Sequence, residues 1–296
     1  MIIIIIMHLL IFVKHFFKVF LKMLNFFLFT FTMRYMKTQT LLAPFRRAIE
    51  DYKMIEEGDK IAIGVSGGKD SLTLLALMKA LQRFYPKKFD IVAITIDLGF
   101  CKDHDPFEPV KQWCDEMNVP YYIERTDIGE ILFEARKEAS PCSLCSKMRR
   151  GALNTQLLKL GCNKLALGHH AEDAIETFLL SLFFEGRLST FAPISYMDRS
   201  KVSMIRPMIY ISENNVASYA RSLPVVHNPC PADKHTKREY MKNLIKDLQK
   251  DIPFVKDRML GAIANPDRYN LWDNVLEKYN SERNKTATNE QSTNKD

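Results

Sequence analysis

Glycine is scarce in this chain, 11 of 296 residues, and tryptophan occurs twice. A collagen-like repeat and a Gly-rich low-complexity chain are therefore excluded. Cysteine is sparse too, at six residues, which excludes a dense disulfide scaffold. No internal repeat is visible, so solenoids and propellers are excluded as well. Hydrophobic residues make up 47% and charged residues 26%, close to ordinary globular usage, which leaves no room for wholesale disorder. The length suits one large domain or two small ones with a substantial core.

Acidic residues are missing altogether from positions 1–36, which carry Lys14, Lys18, Lys22 and Arg34. The whole chain has 42 Lys+Arg against 35 Asp+Glu, a net charge of +7, so this segment supplies four of the seven. Its first 32 residues are almost wholly Ile, Leu, Phe, Met and Lys. A membrane or signal segment needs an uninterrupted apolar run of about 18 residues, and the lysines interrupt this one. Their spacing puts them along one helical face, which suits an amphipathic surface anchor. A third reading places the segment outside the working protein, with Met33 or Met36 as the start. On each reading, membrane association depends on this leader, and residues 1–36 are set apart from the fold. At the other end, residues 281–296 are polar without large apolar side chains, and read as a disordered tail.

Between them the pattern alternates. Lys60–Val65, Ile91–Ile96, Tyr121–Glu124 and Lys164–Leu167 are short apolar runs that read as buried strands. Leu72–Phe84, Val110–Met117, Ser146–Leu160 and Ala171–Phe184 have helical spacing. Continuous apolar strands between helices predict an α/β fold, a Rossmann-like parallel sheet with helices on both faces. Beyond Arg206 the pattern is mainly helical, at Glu213–Leu223, Glu239–Leu248, Pro253–Ala264 and Leu271–Tyr279. The expected organisation is an α/β domain over 37–210 and a smaller helical C-terminal extension over 211–280. Ligands of such sheets bind at the carboxyl ends of the strands, where the loops at Ser66, Asp97 and Gly168 fall.

Scarce as glycine is, Gly67 and Gly68 stand side by side in Ser66-Gly67-Gly68-Lys69-Asp70-Ser71, between the first strand and first helix. Adjacent glycines let backbone N–H groups approach an anion, and the helix N-terminus adds its positive end. Ser66 and Ser71 add hydroxyls. Asp70 would repel phosphate unless a metal bridges the two, which points to Mg²⁺. A plain strand-to-helix turn with Asp and Ser as caps is the structural alternative. The loop is not a Walker A motif: three residues separate Gly64 from Gly68, and Asp follows Lys69. It resembles the SGGxDS signature of PP-loop ATP pyrophosphatases, which cleave ATP between the α and β phosphates and adenylate a carbonyl oxygen.

Cys142 and Cys145 form a CxxC, and Cys230 stands alone in Asn228-Pro229-Cys230-Pro231. A CxxC can share a metal or cluster, act as a redox pair, or be structural. No second CxxC completes a four-thiolate zinc site. Three cysteines with Cys230 as the third suit an iron–sulfur cluster with one open iron. Cys114 and Cys162 read as core residues, and Cys101 has no assigned role. The stretch PCSLCSKMRRG at 141–151, the element Gly168-His169-His170-Ala171-Glu172-Asp173 and Ile205-Arg206-Pro207-Met208 resemble, in order, the tRNA 2-thiocytidine synthetase family. The resemblance runs from about Leu41 to Tyr240. It departs at Cys230, where many members have a second CxxC.

The resemblance implies ATP-dependent thiolation of a pyrimidine, cytidine 32 in a tRNA anticodon loop, in the cytoplasm, with ATP, Mg²⁺ and a [4Fe–4S] cluster. It assigns ATP to Ser66, Gly67, Gly68, Lys69, Asp70, Ser71, Asp97, Gly168, His169 and Asp173. Asp70 holds Mg²⁺ and shares the catalytic role with Cys142, Cys145 and Cys230, the cluster ligands. Lys147, Arg149, Arg150 and Arg206 are candidate RNA contacts, since basic side chains position a phosphate backbone without reading its sequence. Each is equally well read as a solvated or acid-paired residue. His169 and His170 alone would be read as capping or packing. A sulfur donor such as a cysteine desulfurase is implied, and a homodimer is left open. Lysidine-type ligation, 2-thiouridine synthesis, and a zinc-stabilised RNA-binding protein without catalysis stand as alternatives.

Overall fold

A computed structural model of the chain describes residues 38–101, 103–135, 141–226, 230 and 237–268. The leader, the polar tail, His227 and the expected helix at 271–279 lie outside them. A first helix, α1 (residues 38–51), precedes the sheet. Then come β1 (Asp59–Gly64), α2 (Lys69–Leu81), β2 (Phe89–Asp97), α3 (Glu108–Glu116) and β3 (Tyr121–Arg125). A short turn, α4 (Ile128–Glu130), runs into one wide helical turn at Ile131–Ala135. The rest are α5 (Pro141–Lys159), β4 (Lys164–Ala166), α6 (Ala171–Glu185), β5 (Ile194–Met197), β6 (Val202–Ile205), α7 (Glu213–Ala220), α8 (Lys237–Asp251) and α9 (Val255–Ala264).

The six strands form one sheet in the order β3-β2-β1-β4-β6-β5. All neighbours run parallel except β5 and β6. Ile61, Ala62 and Ile63 are fully buried at its centre, covered from both sides, as parallel strands require. Two differences from the sequence reading stand out. The β5–β6 hairpin was not expected, because two four-residue strands are too short to show a period-2 pattern. The helix after the CxxC also starts five residues earlier than expected, at Pro141 instead of Ser146. Proline suits a first helical turn, where its missing N–H has no partner to lose, so Cys142 and Cys145 sit one turn apart on α5.

The main core joins α1, α2 and α7 to one face of the sheet, through Phe45, Leu75, Met78 and Val216 among others. On the other face Leu157 of α5 packs with Val92, Ile94, Leu165 and Met204. The helices α8 and α9 form a third cluster, with Met241 and Ile245 against Ile175 and Leu179 of α6. Among the described residues, no helix is long and apolar enough to cross a membrane.

Candidate nucleotide and thiol site

The strand order reverses between β1 and β4, and the crevice at such a switch point is where open α/β sheets bind ligands. Two loops meet there. The first, between β1 and α2, turns at Gly67 with φ +80°, a conformation that glycine adopts without strain. Gly68 is the N-cap of α2, and no side chain caps that end, so an anion can take the place. The serines hold the loop in shape: Ser66 N–H donates to Ser71 Oγ at 3.1 Å, and Ser71 Oγ donates to the Gly68 carbonyl at 3.0 Å. Lys69 Nζ lies 2.7 Å from Asp70 Oδ1 and 3.3 Å from Glu213 Oε1 of α7. Burial works against the charge on Lys69, but those two carboxylates outweigh it and raise its pKa.

The second loop, between β4 and α6, carries the Gly-His-His element. A Cβ on Gly168 would stand 2.9 Å from the carbonyl carbon and oxygen of Asp70, so glycine is what allows the two loops to touch. His170 N–H donates to Asp173 Oδ2 at 2.9 Å, capping α6. The buried His170 ring has Glu172 Oε2 at 3.5 Å from Nδ1, with Asp173 Oδ2 at 3.5 Å and Asp70 Oδ1 at 3.9 Å from Nε2. Burial alone would lower the pKa of His170; the three carboxylates reverse that and raise it. His169 goes the other way, down to about 4, through burial above all and with help from Arg206. Its ring packs on Phe191 at 4.8 Å, and its Nδ1 is buried with no hydrogen-bond partner.

Glu172 and Glu213 were not singled out in the sequence, yet they tie the site to the C-terminal helices. Glu172 is buried, and it accepts from the Glu213 backbone N–H at 2.7 Å and from Lys256 of α9 at 3.1 Å. Burial pushes its pKa up, but His170 and these partners bring it down to about 2. Glu213 also accepts from Lys242 of α8 at 2.8 Å. Arg238 of α8 lies 3.4 Å from Asp173 and 3.0 Å from Glu176. The sequence signal for Glu172 and Glu213 is their place in the first turn of a helix, where acids are common for electrostatic reasons alone.

Asp97, at the end of β2, is braced internally. It accepts from Arg125 Nη1 at 2.7 Å and from the Gly99 N–H at 3.0 Å.

The three cysteines of the CxxC and of the later Pro-bounded position differ in exposure. Cys142 is exposed, Cys145 and Cys230 are half-buried, and no cysteine is in a disulfide. The Cys145 thiol is pushed up first by burial, then by Cys230 and Cys142, against a downward pull from Arg149. Among the described residues, no three His, Cys, Asp or Glu side chains are set to hold a single metal ion. A cluster spreads its thiolates over separate irons, so it needs them wider apart than one ion does. Cys114 and Cys162 are buried in the core as expected.

Lys147, Arg149 and Arg150 are exposed along α5, beside the thiols. Arg206 differs from the outward contact expected of it, being 8% exposed. It donates to the Ala192 carbonyl at 2.5 Å and lies over Phe191 at 4.9 Å. Burial and the nearby Arg150 lower its pKa to about 10. Its place at the end of β6 turns it into the protein, where it walls the site instead of reaching into solvent.

A family model for the PP-loop domain matches residues 38–248. The tRNA-cytidine(32) 2-sulfurtransferase of Pelobacter propionicus is 41% identical over 236 residues, covering 78% of this chain and 87% of that protein. That of Geobacter metallireducens is 42% identical over 239 residues, covering 78% and 91%. Among solved structures, the U34-tRNA thiolase NcsA of Methanococcus maripaludis, with its [4Fe–4S] cluster, shares the fold. Its TM-score is 0.61 at 23% identity, over 77% of this chain and 78% of that one.

Proposed function

The chain belongs to the tRNA-cytidine(32) 2-sulfurtransferase family of PP-loop proteins, and from that premise we propose that it converts cytidine 32 of tRNA to 2-thiocytidine at the expense of ATP. The C2 oxygen of the base attacks the α-phosphorus of ATP, and the α–β bridge breaks to release pyrophosphate. Sulfur at the oxidation level of sulfide then bonds to C2 with its own electron pair and the C2–O bond breaks, so oxygen leaves with AMP; sulfur delivered as a persulfide takes two electrons from an external thiol reductant first. Backbone N–H groups at Gly67 and Gly68 hold phosphate, and Lys69 turns from its carboxylates to the anion. Asp70 would hold Mg²⁺, with Asp173 as the second carboxylate contact. The His170 ring lies between them, with Asp173 Oδ2 at 3.5 Å and Asp70 Oδ1 at 3.9 Å from Nε2.

What carries this reading is the Gly67 turn at a helix start that no side chain caps, at the switch point of the sheet, in a chain that also carries Cys142, Cys145 and Cys230. Three thiolates are the ligand number of a [4Fe–4S] cluster with one iron open, which when bound would supply a seat for the incoming sulfur. Cys142, the exposed member, leaves that side of the site open to a donor such as a cysteine desulfurase. The base must be unpaired to enter, which suits an anticodon loop. Lys147, Arg149 and Arg150 position the RNA backbone. The reaction belongs in the cytoplasm with its substrate, and a homodimer is compatible with it.

Nucleoside mass spectrometry of tRNA from cells with and without the gene tests the function. Loss of 2-thiocytidine is expected, and unchanged 2-thiocytidine would overturn it. Protein purified anaerobically should contain iron and sulfide, both lost when Cys142 and Cys145 are replaced by Ala. Stoichiometric zinc instead would favour an RNA-binding protein without catalysis.

A further inference from the structure

The loop after β2 and the loop after α7 face each other across a cavity of about 480 Å³, a size that suits a small organic ligand. None of its described lining residues belongs to the nucleotide loops, the thiols or the basic side chains of α5. Pro106, Pro109, Pro224, Val225 and Val226 give it apolar walls, and Asp105 stands among them. Such walls suit the faces of a heterocycle, which carries its polar atoms on its edge. Val226 also packs on the phosphate loop. Its N–H donates to the Gly67 carbonyl at 2.9 Å, and a Cβ on Gly67 would meet the Val226 Cβ at 3.0 Å. One side chain therefore serves both the cavity and the Gly67 turn.

Asp105 is fixed in place by its neighbours. Oδ1 accepts from the Phe107 N–H at 2.9 Å and Oδ2 from Arg125 at 2.6 Å, while the same guanidinium holds Asp97 at the end of β2. Burial works against its charge, but these donors outweigh it and lower its pKa. A carboxylate has about four acceptor sites, so each oxygen keeps capacity for a ligand donor.

Resting on the thiolation proposed above, we infer that this cavity receives the target base of the RNA, with Asp105 as the specificity-determining residue that accepts from the N4 amine of cytosine. A group that only accepts suits that amine and repels the O4 of uracil. The reaction adds a second reason. As O2 bonds to the α-phosphorus, the ring gives up electron density and positive charge collects on N3 and N4. A fixed carboxylate at N4 offsets that charge as it develops. Adenine bears an amine too, but its charge does not change in the reaction, and the crevice for ATP lies between the loops after β1 and β4. A base in the cavity is a neighbour of phosphate held at the Gly67 turn, as transfer between the two requires.

The test uses the full chain with its cluster, ATP, Mg²⁺ and free sulfide, and tRNA carrying cytidine, uridine or an abasic residue at position 32. Filter binding reads RNA affinity, nucleoside mass spectrometry reads thiolation, and calorimetry reads ATP affinity. The native protein should bind the cytidine tRNA about fivefold tighter or more than the uridine tRNA. Asp105→Asn, whose amide can donate to O4, should remove that preference and allow thiolation of uridine. Val225→Phe, at a position 48% exposed, should fill the cavity and bring the cytidine tRNA down to the abasic affinity while ATP affinity holds. A Val225→Phe protein that loses ATP affinity and keeps the cytidine preference assigns the cavity to adenine and overturns the inference. A cytidine preference that survives both substitutions also overturns it and leaves the ATP chemistry standing. Native protein that thiolates neither tRNA overturns the thiolation itself, and the base pocket with it.

Discussion

Glu172 shows how one buried side chain sets the charge state of the site. Its carboxylate touches the His170 ring, the Glu213 N–H and Lys256, so it stays ionised down to about pH 2 in place of the usual 4.5. The sign of its pH effect follows. The stability it adds is complete above about 4.5 and fades as pH falls towards 2. His170, whose pKa is raised from 6.5, adds stability that is complete below 6.5 and fades as pH rises through its raised value. Glu172→Gln should therefore cost most between about pH 4.5 and 6.5, roughly 3 kcal/mol for breaking a buried charge pair. The cost should shrink on both sides of that window. Urea denaturation of both proteins at pH 3, 5.5 and 8 measures it, and a cost that does not vary with pH would refute the pairing. Glu172 stands inside the Gly-His-His element, yet its role was not legible there. In sequence it is simply an acid at a helix start, and the partners that give it meaning lie 41 and 84 residues away.

At the level of elements, the sequence shows what local pattern can show. β1, β2, β3 and β4 and the helices after them were legible because each is a run of apolar residues with its own period. The phosphate loop was legible because adjacent glycines stand out in a Gly-poor chain, and Gly67 takes the turn at φ +80°. What escaped depends on distant partners. The β5–β6 hairpin closes the sheet with four residues per strand. The start of α5 at Pro141 was hidden because Pro141–Cys145 has no helical apolar spacing of its own. The C-terminal helices read as an extension, but α7 belongs to the main core, whereas α8 and α9 dock on α6. That docking rests on few side chains. Met241 is fully buried against Ile175 and Leu179, and Met241→Ala should cost about 2–5 kcal/mol in the stability of this unit. Because Arg238, Lys242 and Lys256 stand on the same two helices, the substitution should also weaken ATP binding. Calorimetry with thermal denaturation reads both, and a loss of stability without loss of affinity would separate the helices from the site.

For the whole molecule the question is where RNA-binding charge resides. Net charge alone suggests the leader, since positions 1–36 carry four of the net seven positive charges and no acid. Placement suggests otherwise. Lys147, Arg149 and Arg150 lie exposed on α5, whose first turn carries Cys142 and Cys145, while Arg206 is buried. The family match likewise begins at residue 38. Counterion release separates the two sources, because each phosphate contact adds about 0.7–0.9 to the slope of log affinity against log salt. A chain starting at Met36 should keep its melting temperature, its ATP affinity and the salt slope of its tRNA binding, although its net charge falls to +3. Arg149→Ala and Arg150→Ala should each lower that slope by about one where the residue meets a phosphate, without altering ATP affinity. Filter binding of tRNA over a range of salt concentrations measures both. If removing residues 1–35 flattens the slope and the α5 substitutions leave it unchanged, the RNA is held by the leader and not by the helix that carries the thiols.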